Sequence, residues 1–180
     1  MFLVIWRKTV FLVICQEMPV CPKCGKPLVL RDHRRRIHRL AGGKKEWYMI
    51  PRMECINKEC PCKIHSCIPD NMSPHKHYDA GLIEDVIDGV LSSDDIGTED
   101  YPCADTMALW KEWAEKNTTN IDGQIRSIGY RLLDFGIEIL TSAASIMQEL
   151  RQKISPGWLK AVTWVIYNTG GRITPVARLP

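Results

Sequence analysis

Apolar residues open the chain in two short runs, Phe2–Ile5 and Val10–Ile14, parted by Arg7, Lys8 and Thr9. Runs of this length predict two short strands, or one strand with an exposed middle. Neither approaches the roughly 18 apolar residues that a membrane span needs. No small-residue cleavage site follows, so a secretion signal is not expected. From Pro27 to Arg39 the chain reads as extended: Leu28 and Leu30 alternate with Val29 and Arg31, and Ile37 follows. Ala41-Gly42-Gly43-Lys44 supplies a turn, and Trp47–Glu54 reads as the returning strand of a hairpin, with Pro51 at an edge or bulge.

The pattern changes after a proline-punctuated connector, Ile68-Pro69-Asp70 to Ser73-Pro74. Leu82, Ile83, Val86, Ile87, Val90 and Leu91 lie on one face of a helix that begins near Asp79. A second helix is predicted from Ala104 or Asp105 to about Lys116, packing Met107, Leu109, Trp110 and Trp113. Together they have the outline of a helix-turn-helix over 79–116, with a plain helical pair as the simpler reading. Asn120–Lys153 predicts one long helix or two, with Ile121, Ile125, Ile128, Leu132, Phe135, Ile139 and Leu140 on one side. A last helix starts with Ser155 as N-cap and Pro156 at the first helical position. Asn168 and Gly170-Gly171 stop it, and Arg172 and Arg178 fall in a tail.

Eight cysteines, at 15, 21, 24, 55, 60, 62, 67 and 103, are too many to ignore. In a secreted chain they would suggest disulfides, in a cytosolic one metal. The spacing favours metal. Cys21-Pro22-Lys23-Cys24-Gly25 brings two thiolates to one ion across a tight turn, and Gly25 permits the positive φ that such a turn needs. Cys55 and Cys60 repeat the arrangement with a looser spacing, beyond the hairpin. Knuckle, hairpin, knuckle predicts a zinc ribbon. Its structural Zn²⁺ is held by Cys21, Cys24, Cys55 and Cys60, with no position left open for water. Cys62 competes for the fourth place, and His65 and Cys67 are further candidates. Cys15 and Cys103 read as buried small hydrophobes. The expected fold class is therefore α+β. Residues 1–70 form a zinc ribbon with an N-terminal strand arm, and 71–180 an all-helical region with its C-terminal helices over 120–169.

Charge adds direction. The 180 residues carry a net charge of only +3, with 45% apolar and 25% charged residues, ordinary globular usage. The distribution is uneven. Residues 1–67 hold 14 Lys and Arg against 5 Asp and Glu; residues 68–122 hold 3 against 13. The densest run is Arg31-Asp32-His33-Arg34-Arg35-Arg36-Ile37-His38-Arg39, with Lys44 and Lys45 at the turn. Guanidinium groups bind phosphate bidentately, so Arg31, Arg34, Arg35, Arg36, Arg39, Lys44 and Lys45 are candidate nucleic-acid contacts. Lys111, on a helix able to enter a groove, joins them. The plainer reading is a solvated hairpin whose charges discourage edge pairing.

The cysteine and arginine runs also carry a resemblance. Cys21-Pro-x-Cys-Gly, the Arg-rich strand, Arg52-Met-x-Cys55, Glu59-Cys60, His65, Ile68-Pro69-Asp70, and Ile83-Glu84-x-Val86-Ile87-Asp88-Gly89 together look like an uncharacterised bacterial zinc-ribbon family. That family is a domain of unknown function common in Firmicutes. Pro102-Cys103-Ala-Asp-Thr106 with Trp110-Lys-x-Trp113, and Gly157-Trp158-Leu159-Lys160, are similar to its later helices. Its members resemble the zinc-ribbon and helix-turn-helix front end of insertion-sequence transposases. The resemblance implies zinc and suggests DNA. Cys62 and Cys67 stand where such proteins usually have other residues.

A transposase, polymerase or kinase catalytic domain does not fit beside the basic module, and no trio of acids has a nuclease core around it. The expectation is a cytoplasmic DNA-binding protein, zinc-stabilised, non-enzymatic, without membrane contact and linked to a mobile element. The alternative is a protein-interaction adaptor whose zinc is purely structural and whose acidic middle recruits a basic partner.

Overall fold

The computed structural model describes residues 2–7, 9–95, 102–132 and 136–174; Lys8, Phe135 and Arg178 lie outside them. The chain divides into two compact units, 1–79 and 80–180. The fold is mixed α+β, and among the described residues all the strands lie in the first unit.

The two apolar runs are strands. β1 (Phe2–Arg7) pairs antiparallel with β2 (Val10–Cys15). β3 (Leu28–Arg39) and β4 (Lys45–Cys55) form the long hairpin. Between them Ala41–Gly43 makes a single 3₁₀ turn, in which Gly42 and Gly43 take φ of 65° and 71°, values that L side chains resist. β3 occupies one edge of β4 along its length. β2 (parallel, at Tyr48 and Met49) and the short β5 (Ile64–Ser66, at Arg52–Glu54) share the other.

Pro51 thus lies on the central strand rather than at an edge. Its carbonyl accepts from Cys67 N on the β5 side. A strand residue points its N and C=O the same way, so the missing donor of Pro51 faces the gap between β2 and β5 and no ladder bond is lost. The bulge is on the neighbouring strand, where Arg31 is the extra residue between Leu30 and Asp32.

One face of the sheet is covered over β2 and β4, while Val4 and Trp6 of β1 on the same face stay exposed. Val13, Tyr48, Ile50 and Met72 form a core that Phe11 and Ile68 complete. The cover is the connector itself, which is why the first unit runs on to Asp79. Arg36 donates to the Ser73 carbonyl at 2.6 Å and to that of Lys76. Arg39 and Tyr78 form a bridge. His38 is fully buried between two carboxylates, 3.2 Å from Asp79 Oδ2 and 3.8 Å from Glu46 Oε2, with its ring edge-on to Tyr48.

The second unit is helical: α1 (Ala80–Ile87), α2 (Ala104–Leu132), α3 (Glu138–Thr141), α4 (Ile146–Lys153) and α5 (Trp158–Asn168). Ile83, Val86, Ile121, Trp158, Leu159 and Ile166 fill its core. The helix-turn-helix expected over 79–116 is not confirmed. Residues 88–103 separate the first two helices, and the second runs on for 29 residues. The polar run at 117–120 does not stop it. Thr118 bonds back to the Ala114 carbonyl, and Asn117 to that of Trp113, so both side chains are satisfied on the helix. α1 stops earlier than its apolar face suggested. Gly89, at φ 76°, closes it with Gly89 N on Val86 O and Val90 N on Asp85 O, which leaves Val90 74% exposed.

The start of α5 also differs. Ser155 does not cap it; Gly157 stands at the N-cap. The buried carboxylate of Glu84, on α1, accepts from Gly157 N at 2.5 Å and Leu159 N at 2.9 Å. Asp122, on α2, does the same for Met147 N at 2.8 Å, at the start of α4. Helix N-termini have free amides and partial positive charge, so a carboxylate from a neighbouring helix satisfies both. Asp88 accepts from Trp158 Nε1 and pairs with Arg151. Three acids of the middle segment, Glu84, Asp88 and Asp122, are therefore spent on internal contacts. The C-terminus of α5 is as expected, with Gly171 N on Ile166 O and Gly170 N on Tyr167 O. Among the described residues no helix is long and apolar enough to cross a membrane.

Candidate functional site

The base of the hairpin gathers the cysteines. A turn closed by Gly25 N on Cys21 O, with Cys21 N on Lys26 O, sets Cys21 and Cys24 just before β3. Gly25 has φ 68°, as the turn requires. Leu28 pairs with Cys55 across the ladder, so the end of β4 returns to the same place. Cys60 follows a tight turn, its N bonded to Asn57 O.

The four sulfurs of Cys21, Cys24, Cys55 and Cys60 all lie within 4.8 Å of one another. Cys21 and Cys60 are 3.7 Å apart, Cys24 and Cys55 3.5 Å. Four thiolates held tetrahedrally at about 2.3 Å from one ion would stand about 3.8 Å apart. The donor set fits a metal ion that prefers sulfur. The Lys26 backbone amide stabilises the Cys24 thiolate and brings that thiol down to about 7, while burial pushes Cys55 up to about 12. Cys24 thus supplies a ready anionic ligand near neutral pH.

The competitors for the fourth place have other positions. Cys62 contributes its carbonyl, which accepts from His65 Nε2 at 3.0 Å, and its sulfur is outside the group of four. A carbonyl only accepts, so Nε2 carries the hydrogen in this arrangement. The same nitrogen lies 3.4 Å from Cys21 Sγ. The single N–H of Nε2 is shared between the Cys62 carbonyl and the Cys21 sulfur, which makes His65 an outer-sphere neighbour of the cluster rather than a fifth ligand. Cys67 lies beside Cys15, and burial pushes its thiol up to about 12. Cys103 is exposed rather than buried. It precedes α2, where the Thr106 hydroxyl at 3.2 Å lowers its pKa.

The basic run is divided by strand alternation. Arg34 and Arg36 stand opposite Ile50 and Tyr48, on the covered face; Arg35 and Arg39 stand opposite Met49 and Lys45, on the other. Arg36 is committed to two carbonyls of the connector, and burial lowers its pKa. Arg34 and Arg35 are exposed, and Arg35 lies over the Trp47 ring at 4.1 Å. Arg39 approaches the Tyr78 ring at 5.7 Å. Arg31 lies 3.7 Å from Asp32, which also takes a bidentate pair from Arg52 at 2.5 Å. Lys44 pairs with Glu46. Lys111 is exposed on α2 of the second unit, one turn from Glu115. The structure gives two residues partners that sequence reasoning left open: His65, a further candidate at the cluster, lies at the Cys21 sulfur, and Trp47, close enough to the arginines to stack, lies under Arg35. The three residues from Cys62 to His65, and the diagonal of Trp47 to Arg35 across the hairpin, are the signals that point to them.

A family model described as a domain of unknown function (DUF6431) matches residues 21–110. The match takes in the whole cysteine cluster, the hairpin, α1 and the start of α2, and the chain belongs to that family. No curated protein and no solved structure gives a significant match.

Proposed function

We propose that this DUF6431 protein is a DNA-binding module whose basic hairpin is pinned by one structural zinc ion. The observation that carries the reading is the set of four cysteine sulfurs within 4.8 Å at the base of a hairpin whose outer strand bears exposed arginines. A closed tetrathiolate site suits zinc in a structural role, since no position remains for water or substrate. Bound there, zinc cross-links the chain before β3 to the end of β4 and the turn that follows it, and makes metal binding part of the folding energy. Arg31, Arg34 and Arg35 are then held on a fixed strand and can contact phosphates. The likeness to transposase front ends favours a role beside a mobile element. The adaptor reading loses Glu84, Asp88 and Asp122, whose charge is spent inside the second unit.

The test is fluorescence anisotropy of the full chain with a mixed-sequence DNA duplex that carries a single-stranded tail, over a salt series, together with metal analysis. One zinc per chain, binding that weakens steeply with salt, and loss of binding on chelation are expected. A folded, zinc-loaded chain that binds no DNA at low salt sinks the reading.

A further inference from the structure

The sheet has a second face, which the cysteine cluster covers at the base of the hairpin, over Leu28, Met53 and Cys55, and which is open from Met49 to the hairpin turn and across β1 and β2. Pairing fixes its members: Leu3 opposite Ile14, Ile5 opposite Leu12, Leu12 beside Met49, Arg35 opposite Met49, and Ile37 opposite Trp47. Leu3, Ile5 and Ile14 are 43%, 39% and 37% exposed, and Met49 and Trp47 are half-buried. A solvated sheet face normally carries polar residues. This one is apolar across β1, β2 and β4 and basic along β3, where His33 and Arg35 are exposed.

We propose that this open face binds single-stranded DNA, with a base stacked on the Arg35–Trp47 pair and the phosphates running along β3. The inference rests on the DNA-binding reading and specifies the substrate class. Width argues against a duplex. Four strands abreast span about 14 Å between outer backbones at roughly 4.8 Å per strand, before any side chain is added. The major groove of a duplex is only about 12 Å wide, so the face does not enter it. Laid against the outside of a duplex, it would meet phosphates alone and leave Leu3, Ile5 and Ile14 facing charge. A single strand presents both chemistries at once: base faces for the apolar centre, and phosphates for the basic margin. The Arg35 guanidinium already lies over Trp47 at 4.1 Å, so its outer surface extends the stack toward the solvent.

The experiment compares one labelled DNA sequence as a single strand and as a blunt duplex, by anisotropy with the zinc-loaded full chain at fixed salt. Single-strand binding at least about tenfold tighter is expected. Trp47→Ala weakens it by about 5- to 150-fold, the span of one lost base stack. Should that variant not fold, Arg35→Gln replaces an exposed side chain and is expected to weaken the single strand more than the duplex. Equal or tighter binding of the duplex overturns the proposal while leaving DNA binding itself intact. Binding of neither form overturns both. Equal losses for the two forms in the variants also overturn it, since they would mark a contribution from charge alone.

Discussion

Replacing Glu84 by alanine isolates the device that starts α5. The side chain is 2% exposed, and its two oxygens hold Gly157 N and Leu159 N at 2.5 and 2.9 Å. Alanine suits the middle of α1, so helix propensity adds no penalty. Two effects then compete. Each lost bond between an amide and a buried carboxylate costs about 1.5–3 kcal/mol. Against that, the folded state no longer has to desolvate a charge, which returns several kcal/mol. Side-chain N-caps lose about 0.5–2 kcal/mol on truncation; with two amides stranded here, a net loss of about 2–3 kcal/mol is expected. For a chain of this size that lowers Tm by roughly 5–10 °C, at about 2–4 °C per kcal/mol. Glu84→Gln keeps one acceptor and turns an amide donor toward the other N–H, so it falls between. Glu112→Ala is the control: its carboxylate is exposed and pairs only with Lys116 one turn on, worth about 0.5 kcal/mol. The assay is thermal unfolding by circular dichroism with zinc present. A Glu84→Ala shift no larger than the control refutes the capping argument. A Glu84→Leu variant that melts higher would show that the burial cost outweighs the two bonds.

The arginines should separate by experiment. Arg36→Ala is expected to destabilise the first unit by about 1–3 kcal/mol, because two connector carbonyls lose a charged donor, and to leave the salt slope of DNA binding unchanged. Arg34→Ala should leave Tm in place and flatten that slope by about 0.7–0.9; a flattened slope for Arg36→Ala at constant Tm contradicts the assignment. Alkylation followed by mass spectrometry should modify Cys103 first and spare the four cluster thiols until a chelator is added. Its lowered pKa places the rise of rate with pH below the ordinary thiol midpoint of 9.0. Cluster thiols that react as fast as Cys103 in the zinc-loaded chain would rule out a closed site. His65→Ala should weaken zinc retention about 10–100-fold in competition with a chelator, with partial rescue by Gln, which keeps a donor. No change would mean that the 3.4 Å contact to Cys21 Sγ is incidental.

Local chemistry accounts for what was legible along the chain. The short apolar runs at 2–5 and 10–14 and the extended run at 28–39 became strands, because their length, β-branched content and flanking turn residues act locally. The Cys21–Cys24 and Cys55–Cys60 pairs converge in space because a hairpin returns its ends to one place, a consequence of topology that sequence order already implies. Gly170-Gly171 stopped α5 through bonds within four or five residues. Gly89 would have been readable on the same grounds, but the apolar Val90 and Leu91 beyond it masked the signal.

What the sequence could not carry were choices made by partners distant along the chain. Pro51 reads as an edge residue, yet it sits in the central strand because β2 and β5 leave a gap at its nitrogen. Ser155-Pro156 reads as a helix start, yet Glu84, some seventy residues earlier, supplies the cap acceptors. The acids of the middle segment read as surface charge, yet three of them are consumed by helix ends and an arginine inside the second unit. The run Arg34-Arg35-Arg36 reads as one basic stripe, yet alternation sends its members to two faces, and the 73–76 carbonyls claim Arg36. The chain by itself determined its strands, its cysteine pairs and its excess of positive charge, all short-range properties of spacing and composition. Only the tertiary structure decided which charges remain exposed, which cysteines come close enough to share a metal ion, and which part of the sheet is left bare. Those depend on what packs against each side chain, and that neighbour is usually far away in sequence.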